Sequence, residues 1–350
     1  MSGIEVCIVE GKDEERVWQE YVKHSEKVNF FHLIDWKDIL STAYGYEPFY
    51  FIAREGDVVR GIFPIFLVKS LLFGRALKSL PFQFLGGPVC DSDEVLVSFF
   101  TKAKELCEEH DASYLEFKNQ ERYDNDRYHD LRVSRTYTSF VTPLSNDHDK
   151  VFSSFKENIR RFIKKSAKEI EVRVVESQAG LKMFYQQYCW GMREIGIPPH
   201  SYFFFNELFR RFAGKKMMRI TLAFYQNKPI ASLLTLIAKK RILFWWGVRD
   251  FHFRNIPSTH ALHWESIKWG CEHDYDYYDF GMTSPVEESA MVFKSRWGTF
   301  PVQQFFYRMF DSNPIDYDCH THFKMSRTLW KYVPLPLVRT IGPFVARQVG

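Results

Sequence analysis

The side chains best suited to chemistry cluster in the stretch YDFGMTSPVEESAMVFKSRWGTFP, residues 278–301. If Tyr278 and Phe280 face a core, strand alternation turns Asp279 to the opposite side, where it could orient an amine, accept its proton or make a structural hydrogen bond. Lys294 could stabilise an oxyanion or a leaving phosphate, and is otherwise an ordinary surface lysine or salt-bridge partner. Two aromatic residues of the stretch suit either a core or a groove wall: Phe293 and Trp297.

A second candidate is the basic segment KVFSSFKENIRRFIKKSAKEI, residues 150–170, for which apolar spacings of three and four predict one helix. Its polar face carries cations at spacing four, with two more beside them: Lys156, Arg160, Lys164 and Lys168, then Arg161 and Lys165. Such cations repel one another unless an anion compensates. Binding of phosphate, tRNA or an anionic membrane surface therefore stands beside the usual interpretation, a solvated face.

Alternating and helical patterns predict the elements that position these residues. Strands are expected at 49–54, 58–68, 114–119, 134–144, 217–226, 229–238, 241–250 and 275–281. Further helices are expected at 28–41, 94–110, 178–194, 203–213 and 260–273. The polar segment 145–149 suggests a boundary between two domains, 1–144 and 145–350, and offers Asn146, Asp147 or Asp149 as a helix cap. The three strands from 217 to 250 form an antiparallel meander.

Composition narrows the class of protein. The net charge of +4 on 350 residues is too small to indicate a nucleic-acid binder by itself. The scattered cysteines, without a CxxC pair, predict neither a disulfide framework nor a zinc site: Cys7, Cys90, Cys107, Cys189, Cys271 and Cys319. We expect no signal peptide and no transmembrane segment, and hence a cytoplasmic protein. The apolar, basic tail 329–350 is expected to dock on the core or to touch a membrane interface.

Several motifs, in order, resemble the FemAB-like branch of the GNAT (N-acetyltransferase) superfamily. An aromatic-Asp-Phe-Gly strand precedes Phe-Lys-x-x-Trp-Gly in 278–298, and NIRRFIKKSAK (158–168) is similar to the family's basic helix. NKPIASLL (227–234), FFHLIDWKDIL (30–40) and FLGGPV (84–89) also look like family segments. Met282 and Thr283 stand where the family commonly has Arg-Ser.

The resemblance implies an α/β (α+β) fold of two tandem GNAT-like units, with mixed, largely antiparallel sheets flanked by helices. It also implies a cleft beside the strand 241–250, capped by the N-terminus of the next helix, where an anion would bind. Here that position carries Arg249, Arg254, Ser258 and Thr259. Lys294 and Asp279 would be catalytic. Donor or substrate contacts would include Phe293, Trp297, Arg160, Arg161 and Lys164.

The implied activity is transfer of an acyl or aminoacyl group to an amine of a cell-envelope or polysaccharide precursor. The donor would be acyl-CoA or aminoacyl-tRNA, with no metal, and a lipid-linked acceptor would suit peripheral contact with the inner membrane face. Two alternatives stay open: acyl-CoA-dependent N-acetylation of a small amine, and a non-catalytic binding module of the same fold.

Overall fold

A computed structural model describes residues 3–123, 128, 130–311 and 328–350. The chain divides into two compact units. The first comprises the described residues of Met1–Tyr137, Gln303–Tyr317 and Arg347–Gly350, and the second those of Thr138–Val302 and Asp318–Ala346. The boundary that the sequence suggests, after residue 144, lies a few residues beyond Tyr137. A single boundary in the sequence cannot describe this division, because the first unit also includes segments near the C-terminus, from Gln303 and from Arg347.

The first unit is a mixed sheet with helices that bury aromatic residues against it. Its strands are β1 (Glu5–Ile8), β2 (Glu47–Glu55), β3 (Val58–Ser70), β4 (Gly74–Lys78), β5 (Val89–Cys90), β6 (Leu115–Asn119) and β13 (Phe300–Met309). They run in the order β1-β2-β3-β4-β6-β13, with β5 beside β3, and only the β4–β6 pair among these is parallel. The helices are α1 (Lys12–His24), α2 (Asp35–Tyr44) and α3 (Asp93–Glu109). The core includes Phe51, Phe63, Phe99, Phe117 and Tyr307.

The second unit repeats this plan with the order β7-β12-β11-β10-β9-β8. Its strands are β7 (Arg132–Pro143), β8 (Glu171–Val174), β9 (Met218–Tyr225), β10 (Lys228–Ala238), β11 (Arg241–Arg249) and β12 (Tyr277–Thr283). The helices are α4 (His148–Ser154), α5 (Glu157–Glu169), α6 (Gln178–Ile195), α7 (Tyr202–Phe212), α8 (Ser258–Glu272), α9 (Glu288–Ser295) and α10 (Leu335–Val349). The predicted α/β class, the antiparallel β9–β10–β11 meander and most of the predicted elements are confirmed.

The prediction of one continuous helix over 150–170 is wrong. Helix α4 ends at Ser154 and α5 begins at Glu157, because Phe155 and Lys156 adopt extended backbone angles. The break turns the Phe155 ring into the core, where it packs against Trp264 and Trp297. The Lys156 amide leaves the helical pattern and donates to the Arg296 carbonyl at 2.9 Å. Asp147 is the cap of α4, as one of the predicted alternatives, and accepts from the amides of residues 149 and 150.

The predicted helix over 28–41 is also only partly correct. Its first residues form a short 3-10 turn, Phe30–His32, and the α-helix begins at Asp35. Among the described residues the cysteines are free thiols, and Cys319 lies outside them. No helix in the described part of the chain combines the length and apolarity needed to cross a bilayer.

Candidate functional site

The candidate site lies where two parallel strands of the second unit separate. Strands β11 and β12 pair in parallel over three residues only, from Arg241 opposite Tyr277 to Leu243 opposite Asp279, and α8 connects them. The residues of β11 after this pairing form a bulge, in which Trp245 has no partner residue in β10. Crevices beyond the carboxyl ends of parallel strands are common ligand sites. The local topology therefore opens a crevice on the N-terminal side of α8.

A pocket of about 480 Å³ occupies this crevice. Its walls come from β10, β11, α6, α8 and α9, and are mainly apolar or aromatic with a few polar groups. The lining residues that matter here are Phe244, Gly247, Arg249, Thr259, His260, His263 and Phe293. This mixture of an apolar wall and a few placed polar groups is typical of small-molecule sites.

The first turn of α8 forms part of the pocket wall, through Thr259 and His260. Pro257 is the cap residue and supplies no side-chain hydrogen bond, while Thr259 in the first turn lines the pocket. Ser258 is buried, and its amide donates to the Ile256 carbonyl at 2.8 Å. The open helix end and its dipole favour an anion, and Arg249 adds a cation in the pocket wall. Arg254 is exposed and is not among the lining residues.

Two histidines of α8 give the pocket neutral imidazoles. Burial, with a smaller effect of Arg249, lowers the pKa of His260 to about 4. Burial also lowers the pKa of His263 well below its usual value, and His260 and Lys294 lower it further. The His263 Nδ1 lies 2.7 Å from the Tyr278 hydroxyl, which fixes the ring in the core. Both rings are therefore uncharged at neutral pH, and the same burial disfavours their protonated forms.

Lys294 is buried beside the pocket rather than exposed on the surface. Its Nζ donates to the carbonyls of Gly281 at 3.0 Å and Met282 at 3.3 Å, and lies 5.9 Å from the centre of the Phe244 ring. Burial lowers its pKa to about 8, against the opposing effects of Asp279 and Glu287. An ammonium has three donors, so two are used by the backbone of β12. Its catalytic role stays a prediction.

Asp279 faces away from the pocket and is enclosed by partners. Its Oδ1 accepts from the Ser139 hydroxyl at 2.5 Å and the Gly281 amide at 2.9 Å, and its Oδ2 from Arg241 at 3.1 Å. These bonds hold a bulge in β12, where Gly281 has a φ of +69° and the register with β7 shifts. Tyr278 and Phe280 face the core, as alternation predicts. The structure thus gives Asp279 a positioning environment, and its catalytic role is untested.

The remaining predicted residues divide into those near the pocket and those away from it. Phe293 lines the pocket, whereas Trp297 is fully buried in the core beside it. On α5, the Phe162 ring lies 4.7 Å from the ring of His260, and the exposed Arg161 lies 5.6 Å over Phe162. Lys164 is exposed, and Arg160 instead donates to the Ser153 carbonyl at 2.9 Å.

Sequence reasoning missed Phe244 and His260 as residues of the site. Phe244 looks like any other apolar residue of a strand, so only the separation of β11 from β12 marks it as a wall residue. His260 carried one usable signal, because it follows Ser258 and Thr259 in the first turn of the helix that was expected to bind an anion.

Comparison with known proteins agrees with this geometry. Residues 153–295 match the family model described as an acetyltransferase (GNAT) domain. The predicted resemblance to the GNAT superfamily is confirmed over these residues, and the two units have the predicted tandem GNAT-like fold. No curated protein sequence matches the chain significantly.

Three solved structures share the fold. FemX is 14% identical with a TM-score of 0.67, over 86% of this chain and 96% of that one. A tandem GNAT protein from the clavulanic acid biosynthesis pathway is 9% identical with a TM-score of 0.56, over 87% and 98%. The C-terminal domain of a putative lysylphosphatidylglycerol synthetase from Agrobacterium fabrum is 12% identical with a TM-score of 0.54, over 91% and 96%. At these identities the likeness shows the fold alone.

Proposed function

We propose that this protein transfers an acyl or aminoacyl group from an anionic donor to an amine of a cell-envelope or polysaccharide precursor. The observation that carries the proposal is the pocket beside β11, beyond the point where β11 separates from β12, with the first turn of α8 in its wall. Acyl-CoA and aminoacyl-tRNA both carry phosphate and a reactive carbonyl on one molecule. The α8 amides and Arg249 suit the phosphate, and the aromatic wall suits the acyl part.

The reaction needs an uncharged amine, a stabilised oxyanion and a route for the proton. The third N–H of Lys294 is the one we assign to the developing oxyanion or to a phosphate, because the other two are used by the carbonyls of Gly281 and Met282. We assign to His260 and His263, which line the same pocket, a transient relay of the amine proton to solvent, because burial keeps neither ring protonated. We assign Asp279 to positioning, because its carboxylate is enclosed by Ser139, Gly281 and Arg241 and holds the bulge in β12.

The sharpest test is donor-dependent thermal stabilisation of the purified chain, with acetyl-CoA, a long-chain acyl-CoA and an aminoacyl-tRNA as separate ligands. The true donor at 100 times its Kd is expected to stabilise the folded state by about 2.7 kcal/mol. Arg249→Gln should weaken this stabilisation, and Arg296→Gln, an exposed arginine outside the pocket lining, should leave it unchanged. Absence of stabilisation by every donor would contradict the proposal.

A second candidate is acyl-CoA-dependent N-acetylation of a small amine, favoured by the acetyltransferase description of the family that matches residues 153–295. Mass spectrometry of CoA that co-purifies with the chain would support it, whereas a salt-sensitive gel shift with tRNA would support the aminoacyl donor. A non-catalytic module would bind a donor without forming any acylated amine. For either enzyme we propose a cytoplasmic location.

A further inference from the structure

The C-terminal helix α10 exposes a row of large apolar side chains. Leu337, Ile341 and Phe344 have exposed fractions of 47%, 45% and 56%. Their spacings of four and three place them on one face of the helix. We call these three residues the α10 stripe. Isolated exposed apolar residues are ordinary, but a row on one helix face indicates a surface that another apolar phase covers.

The opposite face of α10 is already used for packing. Val338 and Ala346 are buried, and Gly342 lies so close to the chain that an added Cβ would stand 2.5 Å from Pro199. The helix is therefore docked, and rotating the α10 stripe inward would expose Val338 and place bulky side chains against Pro199. Intramolecular burial of the stripe in this arrangement is excluded by that contact.

The charges of the segment that carries the α10 stripe have one sign. Residues 328–350 contain Lys331, Arg339 and Arg347 but neither Asp nor Glu. All three cations are exposed, and Arg339 lies on the packed side of α10, where it lines a pocket with Trp190 and Asp250. An apolar row with neighbouring basic side chains is the pattern of helices that lie in the interface of an anionic bilayer. A protein partner would require a complementary acidic and apolar surface, whereas an anionic lipid surface supplies both properties at once.

We propose that the α10 stripe docks this protein reversibly on an anionic lipid surface, with its three apolar side chains in the acyl boundary and the cations at the headgroups. This goes beyond the proposed transfer reaction and does not depend on it. Docking there would bring the chain to lipid-linked acceptors without a membrane-spanning segment.

A feature of the first unit supports the same chemistry independently. The turn between β3 and β4 exposes Leu71 and Leu72, with exposed fractions of 83% and 66%. Lys69 and Arg75 flank this turn and are exposed, but each forms an ion pair, with Glu47 and Asp111 respectively. The support therefore comes from the two adjacent exposed leucines at the tip of a hairpin, which fit a lipid interface by their apolar surface.

The test is flotation of the full chain with vesicles of phosphatidylcholine alone and of equal parts phosphatidylcholine and phosphatidylglycerol. We expect binding to the anionic vesicles, weakened by salt. The variant with Leu337→Ser, Ile341→Ser and Phe344→Ser should lose at least about tenfold in partition coefficient. The matched control replaces three exposed valines elsewhere, Val58→Ser, Val97→Ser and Val174→Ser, and should bind like the unaltered chain.

Three outcomes would overturn the proposal. If the stripe variant and the control have equal partition coefficients, α10 does not contact the lipid surface. If the unaltered chain binds equally to both vesicle types, anionic lipid is not required for binding. Sedimentation of the unaltered chain as a dimer, with the stripe variant a monomer, would assign the stripe to a second copy. Thermal stabilisation by donors is measured without vesicles, so failure of this proposal and failure of the proposed transfer reaction are distinguishable.

Discussion

Lys294 is a buried side chain that bonds the backbone of β12 and to which we also assign a role in the proposed reaction. Its ammonium bonds two carbonyls just beyond the bulge of β12 and remains within 5.9 Å of the Phe244 ring in the pocket wall. A buried lysine is costly because its charge loses solvation. Two effects of Lys294 can offset this cost. Its ammonium fixes the backbone of β12, and it places a positive charge beside the pocket.

The first prediction concerns the pH dependence that Lys294 contributes. Burial lowers its pKa in the folded chain to about 8 from the usual 10.5, so between these pH values the unfolded chain binds more protons and stability rises with pH. The free energy of unfolding of the native chain, relative to Lys294→Met, should therefore increase across this window by at most about 3 kcal/mol. Denaturant titration at several pH values measures it.

The control for this prediction is Lys182→Met, an exposed lysine on α6. The difference in the free energy of unfolding between this variant and the native chain should not change over the same pH range. In a transfer assay Lys294→Met should lower kcat by about a hundredfold with little change in KM, if its third N–H stabilises the oxyanion. Unchanged kcat would leave Lys294 with a positioning role only.

At the scale of elements, α5 brings its cations to the edge of the pocket through a single aromatic contact. Ile159 and Ile163 are buried beneath the helix, while Phe162 packs on His260 and carries Arg161 above it. The exposed face of α5 thus continues from the pocket lining. This placement favours binding of a donor with phosphates over the interpretation of a merely solvated face.

The second prediction removes charge from this face. Arg161→Gln with Lys164→Gln should raise the KM for the donor without changing kcat, because both side chains lie outside the pocket lining. If the donor is aminoacyl-tRNA, the slope of log K against log salt should also become shallower, by about one for each lost phosphate contact. The matched control is Lys182→Gln with Lys215→Gln. If the control pair raises the KM for the donor as much as the α5 pair does, the cations of α5 contribute only through the overall charge of the protein.

At the scale of the whole molecule, the candidate pocket lies in the second unit and a buried ion pair lies in the first. The pocket lining belongs entirely to the second unit. In the first unit Glu116 accepts from Arg308 at 3.3 Å, and both side chains are largely buried. Burial would raise the pKa of Glu116, but Lys78, Lys118, Arg308 and Arg135 together lower it to about 2. Removing one partner of such a buried pair leaves an uncompensated charge.

The third prediction follows from this buried pair. Glu116→Gln should reduce the free energy of unfolding at pH 7 by about 3 kcal/mol. The contribution is present above the usual glutamate pKa of 4.5 and is lost as pH falls toward about 2, so the difference between the variant and the native chain should shrink over that range. The stabilisation by donor should remain. Loss of donor binding in Glu116→Gln would show that the first unit shapes the donor site.

The predictions that held depend on local patterns. The meander β9–β10–β11 follows from alternation and from the turn at Asn227, and the cap at Asp147 follows from residue type. The break between α4 and α5 was missed, because Phe155 continues a helical apolar stripe. Only the need to pack its ring between Trp264 and Trp297 draws it out of the helix. Helix α9 was similarly not expected within the loop between β12 and Trp297.

By itself the sequence determined the class of fold, the succession of strands and helices, and the segments that carry the family's motifs. These depend on periodicity and residue type, which neighbouring positions encode. Only the tertiary structure decided that Lys294 reaches the carbonyls of Gly281 and Met282, that Asp279 turns to Arg241, and that His260 enters the pocket. The physical reason is that each depends on where β11 and β12 stop pairing, and that separation is set by packing between segments far apart in the chain.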